Sequence, residues 1–243
     1  MDIPTPTTPA RTAPQPRPDV GRSLATTAGW IGLAGVVTGM ASLVVLAGLS
    51  RFGDPPRQMV ASYRADRPAA LAALVLGAGT SVLTVVFIVG LRRLLDRSTG
   101  PARFRGDVAV AGALLLFGLV LAAIGLSVAA FVQSGLPGGV TPSTASLLTT
   151  ASLVLINLSA WPTLAICAAL AIGFGREPGI PRWTVVATAV VGALHLGAGV
   201  SLAGTGPLAV DGPFAQLAPV AWYVWMLAIA VVVLRCPAVP HVS

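Results

Sequence analysis

Residues 68–91 read PAALAALVLGAGTSVLTVVFIVGL, a run of 24 residues without a charge between Arg67 and Arg92. An α-helix rises ~1.5 Å per residue, so a run of this length is long enough to cross the ~30 Å hydrocarbon core of a bilayer. The stretch therefore predicts a transmembrane helix.

Charged residues divide the rest of the chain into similar lengths. Three further gaps of 23 to 28 uncharged residues run from Arg22 to Arg51, from Arg182 to Asp211 and from Asp211 to Arg235. The gap between Asp107 and Arg176 encloses 68 uncharged residues and contains SGLPGGVTPST at 134–144, whose Gly and Pro predict a turn. That gap holds two spans, which makes six.

The composition agrees with this division. The 243 residues are 55% hydrophobic and 9% charged, with a mean hydropathy of +0.86, whereas about a quarter of residues are charged in soluble domains. We expect an all-α, polytopic transmembrane bundle of six helices at 23–236, between a disordered cytoplasmic tail at 1–22 and a short cytoplasmic tail at 237–243. The predicted spans are 24–50, 68–92, 108–132, 145–173, 183–204 and 214–235.

Arginine placement predicts the orientation. Eleven of the fifteen Arg residues fall on the side of the two termini and four on the opposite side, which places both termini in the cytoplasm of a cell-membrane protein. The Arg residues are dispersed at helix ends and are not clustered on one face, so nucleic acid is not an expected partner. The lipid bilayer is the expected partner, with an apolar small molecule or another membrane protein as further candidates.

The sequence also predicts local features for an amphipathic segment and for an aromatic one. The connection RFGDPPRQMVASYRADRP at 51–68 predicts a short helix on the outer membrane surface, with a binding loop or lid as the alternative. Trp222, Tyr223 and Trp225, toward the outer half of the last span, are expected to be interface anchors; an aromatic ligand site is the alternative.

Little reactive chemistry lies inside the predicted spans. His195 is the one ionisable residue placed well within a span, and it has no carboxylate partner there. The other histidine, His241, stands near the C-terminus, and Cys167 alone does not complete a metal set, so no cofactor and no metal are expected. Cys167 and Cys236 are expected to be free thiols. We find no catalytic motif.

A structural role for His195 follows from the fourth span. Pro162 cannot donate a backbone hydrogen bond, so it leaves the carbonyl of Leu158 free at a kink. Trp161 and His195 lie at similar depth, and Asn157 is one turn further out. We expect a neutral, packed His195 that faces Leu158–Pro162, with a proton-handling or small-molecule role as the alternative.

Asp66 and Asp211 are the candidate outer-face residues. Asp66 precedes a predicted helix start, where a capping carboxylate is expected, and surface pairing is favoured over catalysis for both. A cavity that His195 shares with Asp66 or Asp211 would contradict the packed role and would rank an enzyme above a binding protein.

Several segments together have a familiar pattern: SYRADRPAALAALVLGAGTSVLTVVFIVGLRRLL, SAWPTLAICAALAIGFGREPGIPRWTVVATAVVGALHLGAG and AWYVWMLAIAVVVLR. They resemble small six-span integral membrane proteins of unknown function that are common in high-GC bacteria. The resemblance implies a topology and no functional residue. We expect non-enzymatic binding of a lipid, an apolar ligand or a membrane partner; the alternatives are a small membrane-embedded enzyme acting on an apolar substrate and a minor transporter or export accessory subunit.

Overall fold

The computed structural model describes residues 18–47, 55–95, 101–177, 180–203 and 205–235, and this part of the chain is all α. The helices are α1 (Pro18–Ala47), α2 (Pro56–Ala65), α3 (Arg67–Leu95), α4 (Pro101–Ser134), α5 (Pro142–Leu158), α6 (Ala160–Phe174), α7 (Trp183–Gly199) and α8 (Pro213–Arg235). Helix α1 begins four residues before the predicted end of the first tail. Residues 1–17, residues 48–50 of the first predicted span, the tail at 237–243, Cys236 and His241 lie outside the described residues.

The long helices pack in a closed ring. In order around the ring, α1 contacts α3, then come α4, α6, α7 and α8, and α8 returns to α1. The buried core of the ring includes Phe87, Ile166, Leu170 and Met226. The short helix α2 packs against α4 and α5 at one end of the ring, which we call the α2 end; Arg92 lies at the other end, the Arg92 end.

Within the described part of the chain, five helical segments are long and apolar enough to cross a membrane, as a membrane protein requires. They are Thr26–Leu46, Arg67–Arg93, Arg103–Ser134, Pro142–Phe174 and Pro213–Arg235. The fifth predicted span, 183–204, corresponds to the apolar but shorter α7, which ends at Gly199. The predicted end was too late because residues 200–203 are uncharged and apolar yet belong to an irregular loop.

The fourth predicted span, 145–173, is also not one helix. It is interrupted at Ser159, which separates α5 from α6. The Ser159 hydroxyl donates to the carbonyl of Ile156, and the Thr163 hydroxyl donates to the carbonyl of Ser159. Both carbonyls also accept backbone N–H groups, those of Ser159 and Thr163, so the hydroxyls add second hydrogen bonds on either side of the turn in which Pro162 supplies no N–H.

The predicted short helix in 51–68 is confirmed as α2. Its buried face carries Met59 and Tyr63, and the Tyr63 ring packs against Phe131 of α4 with ring centres 4.6 Å apart. The Tyr63 hydroxyl hydrogen-bonds to that of Thr149 on α5. Burial raises the pKa of Tyr63, while this hydrogen bond lowers it by a smaller amount.

Glycines allow α1 to approach its neighbours closely. A Cβ atom on Gly32 would lie 2.8 Å from the Phe87 ring and 3.0 Å from Ala230, and one on Gly29 would lie 2.7 Å from Cδ2 of Leu234. The Tyr223 ring covers Gly39 in the same way. The contact between α1 and α8 therefore depends on residues without side chains.

Replacing Gly32 by Leu should destabilise the protein, because the fully buried Phe87 ring has no space to move into. Overpacking of this kind costs ~1–3 kcal/mol. Gly118→Leu is the matched control, since nothing lies within 4 Å of a Cβ there. Thermal unfolding in detergent should show a lower midpoint for Gly32→Leu alone; equal midpoints would contradict the packing described.

Candidate functional site

A cavity of about 670 Å³ lies between the helices toward the α2 end. Residues from all eight described helices line it. Its apolar wall includes Leu43, Leu74, Phe117, Ile124 and Leu153. The volume lies within the ~300–1,000 Å³ of typical small-molecule sites, and a mostly apolar wall with a few polar groups is usual for them.

Two helix irregularities border the cavity. One is the break at Ser159, and the other is Pro219, which lies inside α8 and cannot donate to the carbonyl of Ala215. Ser159, Ala215 and Pro219 all line the cavity. The space therefore lies beside the break between α5 and α6 and beside the turn of α8 in which Pro219 supplies no N–H, beyond the close packing of Gly29 and Gly32.

Hydroxyl groups supply much of the polar lining. The hydroxyls of Thr80, Ser81, Ser127 and Thr163 each donate to the backbone carbonyl four residues earlier in the chain. The Ser152 hydroxyl lies 3.0 Å from that of Ser127 and 3.0 Å from the carbonyl of Ala123, and so joins α5 to α4. These groups are stably oriented, with their protons directed toward the protein.

Asn157 joins α5 to the loop at 200–212. Its Nδ2 atom donates to the carbonyl of Ser201 at 2.7 Å and to that of Val210 at 2.9 Å. The loop also closes on itself, with Ala203 N–H donating to Leu208 and Val210 N–H donating to Ala203. Asn157 is 3% exposed and lines the cavity, so it holds the loop against the cavity wall.

His195 is buried, with 7% of its surface exposed, but its surroundings differ from the prediction. Nδ1 lies 2.9 Å from the carbonyl of Val191, one turn back on α7, and the ring packs edge-on against Trp222 of α8. The predicted partner, the carbonyl of Leu158, was wrong because the carbonyl within the same helix is already in reach. His195 also lines the cavity together with Asp211, which contradicts a purely packed role.

The aromatic residues of α8 were predicted to be interface anchors, and this was wrong for two of them. Trp222 is 6% exposed and Trp225 is almost fully buried; their rings stack with centres 4.9 Å apart. Trp225 donates from Nε1 to the Thr188 hydroxyl at 2.8 Å. Trp222 and Tyr223 line the cavity, as the alternative of an aromatic ligand site required. The signal in the sequence was three large aromatics within four residues.

The remaining predicted site residues do not all lie at the cavity. Trp161 is 46% exposed and lies over Gly199, and it does not line the cavity. Asp66, which directly follows α2, accepts from the Ser62 hydroxyl and is also absent from the lining, so it is not part of this site. Asp211 does line it, and its backbone carbonyl accepts from Nε2 of Gln216.

Charge is scarce around the cavity. Among the described residues, Asp211 is the one formally charged side chain that lines it, and no arginine does. The described ion pair, Arg92 with Asp107, lies at the Arg92 end. Cys167 packs in the core and is not a lining residue. In the described part of the chain no group of His, Cys, Asp and Glu could hold a metal.

Comparisons with protein families, with curated proteins and with solved structures found no match to this chain. The resemblance to six-span membrane proteins therefore stays a prediction, and no residue acquires a role from a relative.

Replacing Asn157 by Leu should release the loop, because two carbonyls lose their donor at once. An unsatisfied buried carbonyl costs ~1–3 kcal/mol. Hydrogen exchange in detergent should become faster at the Ala203 and Val210 amides, with little change in α3. Gln133→Leu, at an exposed site, is the control. Unchanged exchange in the Asn157 variant would show that the loop does not depend on this side chain.

Proposed function

We propose that the protein binds an apolar or amphipathic small molecule, or a lipid, in the central cavity without chemical conversion. The observation that carries the proposal is the cavity itself, about 670 Å³ in volume and lined by residues of all eight described helices. Its apolar wall favours an apolar body, and its few oriented polar groups favour a small polar head.

An enzyme acting on an apolar substrate is the second candidate, because His195 and Asp211 line one cavity. From the sequence, a cavity shared by His195 and Asp211 was expected to rank an enzyme above a binding protein. Sharing a cavity is too weak a requirement for catalysis, however. A cavity of this size holds both side chains without contact, and the described hydrogen bonds and ion pairs include none between them. Acid–base catalysis requires groups within hydrogen-bond reach of each other or of a shared atom, so binding is the better supported function.

Transport is the third candidate, either by a minor transporter or by an export accessory subunit. It requires a polar path through the protein. The described core at the Arg92 end is filled by large apolar side chains such as Phe87, Ile88 and Leu91, which supports binding over passage.

We further propose six membrane spans, both termini in the cytoplasm and a location in the cell membrane. The five long apolar helices, the apolar α7 and the asymmetry of the Arg residues support this arrangement. A cysteine introduced at Ser98 or Ala238, in a background without Cys167 and Cys236, should resist impermeant reagents in intact cells. Labelling from outside would contradict the proposed orientation.

Filling the cavity tests the binding proposal. Ser81→Phe combined with Ala215→Phe places two rings into the cavity, whereas Ala168→Phe combined with Ala193→Phe adds them at exposed positions away from it. Native mass spectrometry of protein extracted from membranes should show a retained small molecule in the wild type and the control. The filled variant should lose most of it. An equal adduct in all three proteins, or none in the wild type, would contradict the proposal.

A further inference from the structure

We propose that the cavity selects amphipathic molecules whose polar head donates hydrogen bonds and carries a positive charge, as a protonated alkyl amine does. This inference rests on the proposed binding function and concerns the chemical class of the ligand. It follows from which hydrogen-bonding atoms in the cavity are already used and which are free.

Asn157 presents an acceptor. Both hydrogens of its Nδ2 atom are directed to carbonyls, those of Ser201 and Val210, and two carbonyl partners fix which end of the amide is the nitrogen. Its Oδ1 atom has no hydrogen bond among the described residues. The fully enclosed polar atoms without a partner in this part of the chain are Nε atoms of arginine, so Asn157 Oδ1 borders open space.

His195 presents a second acceptor. A carbonyl oxygen only accepts, so the 2.9 Å contact with Val191 requires that Nδ1 carry the proton. In the neutral imidazole the other nitrogen, Nε2, is then a lone-pair acceptor. Nε2 has no described partner and is not fully enclosed, and His195 lines the cavity.

The hydroxyl groups add further acceptors. Those of Ser81 and Thr163 direct their protons to carbonyls of their own helices, which leaves oxygen lone pairs for the cavity. The lining has fewer side-chain donors without a described partner than it has acceptors. These donors are Nε1 of Trp222 and the hydroxyl of Tyr223, and the hydroxyl can also accept. The lining as a whole therefore favours a ligand whose polar head donates hydrogen bonds.

The charge of the cavity lining also favours a cationic ligand. Asp211 is the one formally charged side chain among the described lining residues, and the chain contains no lysine. A sulfonate, phosphate or carboxylate would find no positive partner among the described lining residues, and burying an unpaired charge is strongly unfavourable. An ammonium group gains the carboxylate of Asp211 as a partner of opposite charge.

The test uses three probes with one dibrominated alkyl chain and different heads: a primary amine, an alcohol and a sulfonate. Bromine quenches tryptophan fluorescence on contact. The protein carries Trp30→Phe, Trp161→Phe and Trp183→Phe, so that emission comes from Trp222, which lines the cavity, and the adjacent Trp225. It is placed in phosphatidylcholine nanodiscs at pH 7. We expect half-maximal quenching at an at least tenfold lower mole fraction of amine than of sulfonate, with the alcohol between them.

The filled variant, Ser81→Phe with Ala215→Phe, measures quenching by surrounding lipid alone, and its three curves should coincide. Sulfonate quenching equal to or stronger than amine quenching, at levels above those of the filled variant, would overturn the selectivity and leave binding in place. Quenching by all three probes at the level of the filled variant would overturn the binding function itself.

Asp211→Asn separates charge from hydrogen bonding. The variant keeps the size of the side chain and removes its charge, so the amine curve should move to that of the alcohol. The alcohol should remain a stronger quencher than the sulfonate, because the acceptors of Asn157 and His195 are unchanged. An unaltered amine curve would overturn the role of Asp211, and loss of the alcohol preference would overturn that of the acceptors.

Discussion

The side-chain amide of Asn157 is the interaction on which the cavity depends. By donating to the carbonyls of Ser201 and Val210, it fixes a loop that contains no regular helix against the end of α5. Backbone groups away from water need partners, and a loop buried beside an apolar cavity has few available. Because the loop is held there, it covers the end of α7, which stops at Gly199.

The bundle has two halves with different packing. Toward the Arg92 end, glycines of α1 lie directly against α3 and α8, and Phe87, Ile166 and Met226 fill the interior. Toward the α2 end, the break at Ser159 and the Pro219 turn of α8 border an open space between the helices, and Ser and Thr side chains stand among its apolar lining. The first half is closely packed, whereas the second contains the cavity.

Much of the fold could be predicted from the spacing of charges, since hydrocarbon thickness sets a minimum length for an uncharged helix. The end of α7 was placed too late, because VSLAGTGPLAV at 200–210 is as apolar as a helix, whereas its own backbone hydrogen bonds and its contact with Asn157 hold it as a loop. The direction of a side chain also depends on packing. Thus His195 was predicted to be buried, but its Val191 partner was not foreseen, and the position of Trp222 at the cavity was predicted only as the alternative to an interface anchor.

The most direct test of this account is a cryo-electron microscopy map of the protein in lipid nanodiscs, with an antibody fragment to aid alignment. The account predicts an elongated density, separate from the chain, in the space between Asn157, His195 and Trp222. Helices that close over this space, with side chains filling it and no additional density, would contradict the central claim that this protein encloses a ligand.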